Sequence, residues 1–135
     1  MPVPARPEVE EVEALTADPH TGVSALLEDM LSPASPHFCF VAEQDGGPVG
    51  FVTGGVGPIG LFENRAGRIE DLFVLPAYRR RGLATELVDA AVAELGRRGV
   101  VVYNVEVPHD WRAGLAFWRG RRHWKQDAVV FSRYE

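Results

Sequence analysis

Residues 69–88 read IEDLFVLPAYRRRGLATELV, and the fold turns on how this run is parsed. Residues 69–75 are β-rich and end at Pro76, which cannot donate to a ladder. From about Gly82 to Gly96 the apolar residues Ala84, Leu87, Val88, Ala91 and Leu95 fall on one helical face. Glu86 stands near the start of that helix and Arg97-Arg98 near its end, as the helix dipole prefers. A strand that delivers the chain to a helix N-terminus through a short loop makes an anion site, because the first N–H groups have no intrahelical partner. Gly82 and Ala84 lack bulk, which lets a phosphate approach the backbone. Arg79, Arg80 and Arg81 add charge and bidentate reach, although Arg79 and Arg81 fit equally well as solvated side chains. The run has neither a glycine–lysine–serine/threonine ending nor a three-glycine dinucleotide fingerprint, and its length suits a diphosphate.

The charge of the whole chain supports a local anion site and not a nucleic-acid surface. There are 14 Lys+Arg against 19 Asp+Glu, a formal net charge of −5, the wrong sign for binding phosphate backbones. Residues 1–67 carry two basic against ten acidic residues, whereas residues 68–135 carry twelve against nine, so the arginines belong to one half. At 135 residues the chain is expected to form a single domain over 1–135 with residues 1–7 flexible. Its one cysteine, Cys39, excludes an intramolecular disulfide and is expected to be a buried apolar residue. No run reaches transmembrane length and the start is proline-rich and acidic, so a cytoplasmic protein is expected.

Outside the opening run, residues 8–15 and 24–31 read as helices, the second opening on Ser24. Residues 38–43 (FCFVAE) and 49–56 flank the turn Gln44-Asp45-Gly46-Gly47 and form a hairpin. Residues 57–67 read as loop. Residues 100–107 form a further strand, fully apolar through Val102 and therefore expected at the sheet centre. A short helix over about 110–119 and a last strand near 128–134 complete an α/β (α+β) order.

Arg79-x-x-Gly82-x-Ala84, following a strand of the type Ile-Glu-Asp-Leu-Phe-Val, resembles the acetyl-coenzyme A signature of the GNAT superfamily, the Gcn5-related N-acetyltransferases. The resemblance covers about twenty residues closely and the element order over roughly residues 24–135. It implies a mixed, mostly antiparallel sheet of about six strands flanked by helices. Residues 1–23 are acidic and poor in β-branched residues, so the first strand is short or absent. It also implies that acetyl-CoA is the donor: backbone amides from Arg80 through Thr85, with Gly82, Leu83 and Ala84 between, grip the pyrophosphate. Leu72, Phe73 and Val74 pair with the pantetheine arm as an added strand does. The next strand, 100–107, splays away to leave a cleft for that arm.

Acetyl transfer to an amine needs a neutral amine, donors for the developing oxyanion and a proton for the departing thiolate. Glu70 and Asp71 are adjacent in a strand, which sends their side chains to opposite faces. By likeness to polyamine acetyltransferases, a GNAT branch with the same pair, Glu70 deprotonates the amine and Asp71 holds the cationic substrate; two solvated or ion-paired carboxylates account for them equally well. The family's general acid is a tyrosine, and Trp118 stands there in WRAGLAFWRGRRHW, where an indole cannot release a proton. Tyr78, Tyr103, His109 and water are the substitutes. Trp111, Phe117, Trp118 and Trp124 read as core or dimer-surface aromatics, and the aromatic C-terminus suggests a homodimer. His20, His37, His109 and His123 lack metal-ligand spacing, so no metal site is expected. The first reading is an N-acetyltransferase acting on a small amine or a peptide amine. The alternative is a coenzyme A-binding module of the same fold without transferase activity.

Overall fold

The structure is a computed structural model, and it describes residue 28, residues 30–58 and residues 65–135. The expected helix over 8–15, most of that over 24–31 and the question of a first strand lie outside the described residues. The chain divides into two compact units, Met1–Val105 and Glu106–Glu135.

In the first unit, β1 (His37–Gln44) and β2 (Gly47–Val56) form the expected hairpin. Gln44 pairs with Gly47, so the turn is the two residues Asp45 and Gly46 at φ 53° and 79°. Positive φ at both positions makes it a type I′ turn, whose twist matches the strands it joins. β2 pairs antiparallel with β3 (Ala66–Val74), which begins three residues earlier than the apolar pattern indicated. A single turn of 3₁₀ helix, Pro76–Tyr78, leads to α1 (Leu83–Arg97). β4 (Val102–Val105) then returns parallel to β3, giving the order β1-β2-β3-β4.

The sheet is covered on two faces by different parts of the chain. α1 buries Leu83, Leu87, Val88, Ala91 and Leu95 against β1, β2 and β3. The 83–87–91–95 spacing places these side chains on one stripe, so the helix docks as a unit. On the other face Met30, Cys39, Val41 and Phe51 form a cluster extended by Leu31, Phe73 and Leu75. Cys39 is buried as expected, and burial, assisted by the nearby Asp71 charge, pushes its thiol up to about 12.

Two expectations fail within the sheet and after it. The strand over 100–107 is shorter, Val102–Val105, and lies at the end of the strand order instead of the centre. Its apolar run misleads because Val100 is buried before the strand begins while Val101 is 56% exposed. In the second unit α2 (Arg112–Arg119) forms as expected, but residues 128–134 pair with no strand. Val129, Val130, Phe131 and Tyr134 are exposed there, so the β-prone composition has no ladder to join among the described residues. Among those residues no helix is long and apolar enough to cross a membrane.

Candidate acyl-transfer site

The β3–β4 ladder is short. Its last pair is Ile69 with Val105, after which residues 70–74 have β2 on one side and no strand on the other among the described residues. Phe73 O and Leu75 N both turn toward β2, so by strand alternation Val74 O turns toward the open side. Arg79 Nε donates to that carbonyl at 2.8 Å while its guanidinium lies 5.8 Å from the Phe73 ring centroid.

The three arginines of the loop therefore do three different things. Arg79 ties the loop back to the end of β3. Arg81 lies 5.0 Å over the Tyr78 ring and reaches Gln44 Oε1 at 3.4 Å, and Tyr78 Oη donates to Asp45 Oδ2 at 2.9 Å. These contacts fasten the loop to the hairpin turn. Arg80, at φ 62°, is exposed and has no partner among the described residues, so its charge is the one left for a ligand.

Gly82 sets the geometry of the helix start. At φ 81° it occupies the left-handed region, which costs an L-residue roughly 1–2 kcal/mol and glycine nothing. Gly82, the residue that precedes α1, has no side chain with which to cap it, and the first intrahelical bond runs from Glu86 N to Gly82 O at 3.1 Å. The left-handed pair Arg80 and Gly82 curves the backbone ahead of that turn, as anion-binding nests do. Glu86 in the first turn complements the dipole.

Glu70 and Asp71 do not face opposite ways. Thr53 pairs with Asp71 and Gly54 with Ile69, leaving Glu70 as an extra residue in a bulge. A bulge interrupts the strand's period of two and re-aims the side chain it carries. Asp71 Oδ2 accepts from Thr53 Oγ1 at 2.6 Å, and Glu70 Oε1 lies 3.5 Å from His37 Nδ1. Thr53 and Gly55 alternate to the same face of β2 and pair with Cys39 and His37, so both carboxylates stand on the face opposite α1. They sit where the β3–β4 ladder gives out.

A sequence profile of the acetyltransferase (GNAT) family matches residues 7–120. The chain belongs to the GNAT family. An uncharacterized N-acetyltransferase of Methanocaldococcus jannaschii is 32% identical over 81 residues, which is 59% of this chain and 36% of that protein. A second, of Archaeoglobus fulgidus, is 36% identical over 83 residues, or 61% and 52% of the two chains. The match thus spans about a third to a half of the length of these curated relatives. Among solved structures, an aminoglycoside N-acetyltransferase in complex with CoA has the same fold, with a TM-score of 0.78, 19% identity and 98% of both chains covered. A ribosomal-protein-alanine N-acetyltransferase from Brucella melitensis gives 0.65 at 21% identity, covering 91% of this chain and 92% of that one. A transcriptional regulator from Bacillus halodurans gives 0.71 at 17%, covering 96% and 98%.

Measured against the GNAT pattern, the two tyrosines that could substitute for the missing one are otherwise engaged. Trp118 is buried, packed edge-on against Phe117 at 5.3 Å and Trp124 at 4.8 Å. Tyr103 Oη donates to Val100 O at 3.3 Å. The hydrogen bond from Tyr78 to Asp45 pushes that phenol above its ordinary value, making it a poorer acid. His109 is exposed in the second unit. Among the described residues no three His, Cys, Asp or Glu side chains come together as a metal site. Sequence reasoning missed His37, whose only signal is distributed: a histidine at a strand start and a glycine across the hairpin.

Proposed function

We propose that the protein is an N-acetyltransferase that uses acetyl-CoA to acetylate a primary amine of a small molecule or peptide. The observation that carries this reading is the end of the β3–β4 ladder at Ile69 and Val105, which leaves residues 70–74 of β3 open on one side ahead of a helix start that Gly82 does not cap. The open edge of β3 offers the Leu72 N–H and carbonyl and the Val74 N–H to the amide-bearing pantetheine arm, while Phe73 between them turns its backbone to β2 and Val74 O is held by Arg79. The amides from Arg80 through Thr85, with Gly82, Leu83 and Ala84, receive the pyrophosphate, and the Arg80 guanidinium faces its charge. Arg79 and Arg81 hold the loop that does so.

Glu70 takes the proton of the incoming ammonium, which is largely charged at neutral pH. Asp71, steadied by Thr53, attracts the cationic acceptor. The neutral amine then attacks the thioester carbonyl, the carbon–sulfur bond breaks as the tetrahedral intermediate collapses, and the proton shed by the acylated nitrogen passes through water to the departing thiolate, giving the amide and the free thiol. The names of the structural relatives, which include aminoglycoside acetyltransferases, agree with a polycationic acceptor. Val129, Val130, Phe131 and Tyr134, between 59% and 94% exposed, support a homodimer that covers them. A single buried thiol fits a cytoplasmic location.

Calorimetric titration of acetyl-CoA, followed by a thiol-release assay over a panel of amines, tests the reading. Micromolar binding with turnover of at least one amine supports it, and absence of binding removes it. Binding without turnover favours the second reading, a coenzyme A-binding module, for which the replacement of the family tyrosine by a packed Trp118 is the supporting observation.

A further inference from the structure

Glu70 has a neighbour drawn from two strands away. His37 opens β1, where its backbone N–H donates to Ser35 Oγ at 3.0 Å, and its Nδ1 lies 3.5 Å from Glu70 Oε1. The ring reaches that far because it lies across Gly55, its pairing partner on β2. A Cβ at residue 55 would stand 2.6 Å from Nδ1 and 3.1 Å from Cε1, so only glycine permits this path. The bulge on β3 supplies the other half of the approach by turning Glu70 toward the ring. Together they wall a small open cavity of about 70 Å³, whose lining also includes Arg68, Gly57 and Gly67.

The state of the ring nitrogen is informative. Nδ1 is buried yet has no hydrogen-bond partner among the described residues, while the two side chains as wholes remain about a third exposed (36% and 32%). A buried polar atom left unbonded is costly and calls for a contact made at another stage. Hydrogen bonds at catalytic groups are often long before the substrate binds and shorten in the complex. A separation of 3.5 Å, with the carboxylate re-aimed by a bulge and the ring threaded over a glycine, matches that condition.

We propose that His37 is a positioning residue for Glu70: Nδ1–H holds one carboxylate oxygen so that the other faces the cavity where the amine enters. The proposal rests on the reading of Glu70 as the base. Arg68 on β3 lines the same cavity but makes no hydrogen bond or ion pair with Glu70 among the described residues, so the ring of His37 is the cation-forming group set against that carboxylate. Orientation of a base acts on the chemical step, so its loss falls on kcat more than on the affinity for acetyl-CoA.

The test uses the full chain with acetyl-CoA and spermidine, kanamycin or an alanine-terminated peptide as acceptor. His37→Phe keeps the ring volume and removes the donor, and His37→Gln restores an N–H. The expected result is a fall in kcat of about tenfold or more for His37→Phe, with the KM for acetyl-CoA unchanged and partial recovery in His37→Gln. The Glu70→Gln/His37→Phe double variant should lose no more than Glu70→Gln alone. In a long-range ¹H–¹⁵N spectrum, the His37 Nδ1 resonance should move in Glu70→Gln, whether or not the enzyme turns over. Undiminished kcat in a folded His37→Phe, or losses that multiply in the double variant, overturns the positioning role while the transferase reading stands. If no amine is turned over, the transferase reading falls and takes the role of His37 with it.

Discussion

At its C-terminus α1 closes on itself and on the sheet, whereas at its N-terminus it is left open, and the contrast separates what a helix needs for stability from what it offers a ligand. Gly99 N donates to Gly96 O and Val100 N to Leu95 O, each at 3.1 Å, which satisfies the terminal carbonyls. Burial pushes the Glu94 carboxyl up, but bonds from Arg97 at 2.6 Å and Arg98 at 3.0 Å outweigh it and hold the carboxyl below its ordinary value. Arg98 continues to Ser35 O at 3.0 Å and stacks 5.4 Å over Phe38. At the other end Gly82 has no side chain with which to cap the first turn.

Leu87→Ala attacks what the two ends share. Leu87 is fully buried in the stripe that docks α1, and its truncation should cost about 2–5 kcal/mol in urea unfolding. A cost below about 1 kcal/mol would mean that the ends, and not the stripe, fasten the helix.

Replacing glycine by valine at each end sharpens the contrast directly. Gly82 and Gly99 sit at φ 81° and 84°, so Gly82→Val and Gly99→Val should each lose roughly 1–2 kcal/mol of stability. Only Gly82→Val should weaken acetyl-CoA, by roughly a hundredfold or about 2.8 kcal/mol in calorimetry. Equal weakening in both would show that the open end is not a ligand site.

Two smaller effects follow from charge. Glu94→Gln should cost about 0.5–1 kcal/mol at neutral pH. Because the folded-state value is depressed, the contribution of Glu94 is present above its unfolded value and lost as pH falls through the folded one. The stability difference between Glu94→Gln and the parent should therefore vanish toward low pH, and its persistence there would contradict the ion pairs. Smallest is Arg80→Ala, which should weaken acetyl-CoA about two- to fivefold, less so at high salt, while Arg97→Ala leaves binding unchanged. Binding isotherms at two salt concentrations decide it.

Local patterns made the frame legible. The hairpin announced itself through Asp45-Gly46, α1 through its four-residue apolar spacing, and the anion loop through glycine and arginine ahead of a helix. What stayed hidden was settled between segments distant in the chain. The bulge at Glu70 depends on how β2 and β3 pair, and strict alternation therefore sent the two carboxylates to opposite faces. The approach of His37 depends on Gly55 across the hairpin, and the division of labour among Arg79, Arg80 and Arg81 depends on a turn about 35 residues away. Residues 128–134 show the reverse failure. Their β-prone composition was plain, but composition does not supply a neighbouring strand.

The irregularity in β3 bears on how this protein should be engineered. Removing the extra residue would repair the ladder, and a screen scored by melting temperature alone would reward the change. Because the extra residue is Glu70 itself, the repaired strand would keep Asp71 opposite Thr53 and lose the carboxylate that stands beside His37. Thermal tolerance and the arrangement at residues 70 and 71 are thus opposing selection pressures within one strand, and a stabilised variant is informative only when scored for acyl transfer as well.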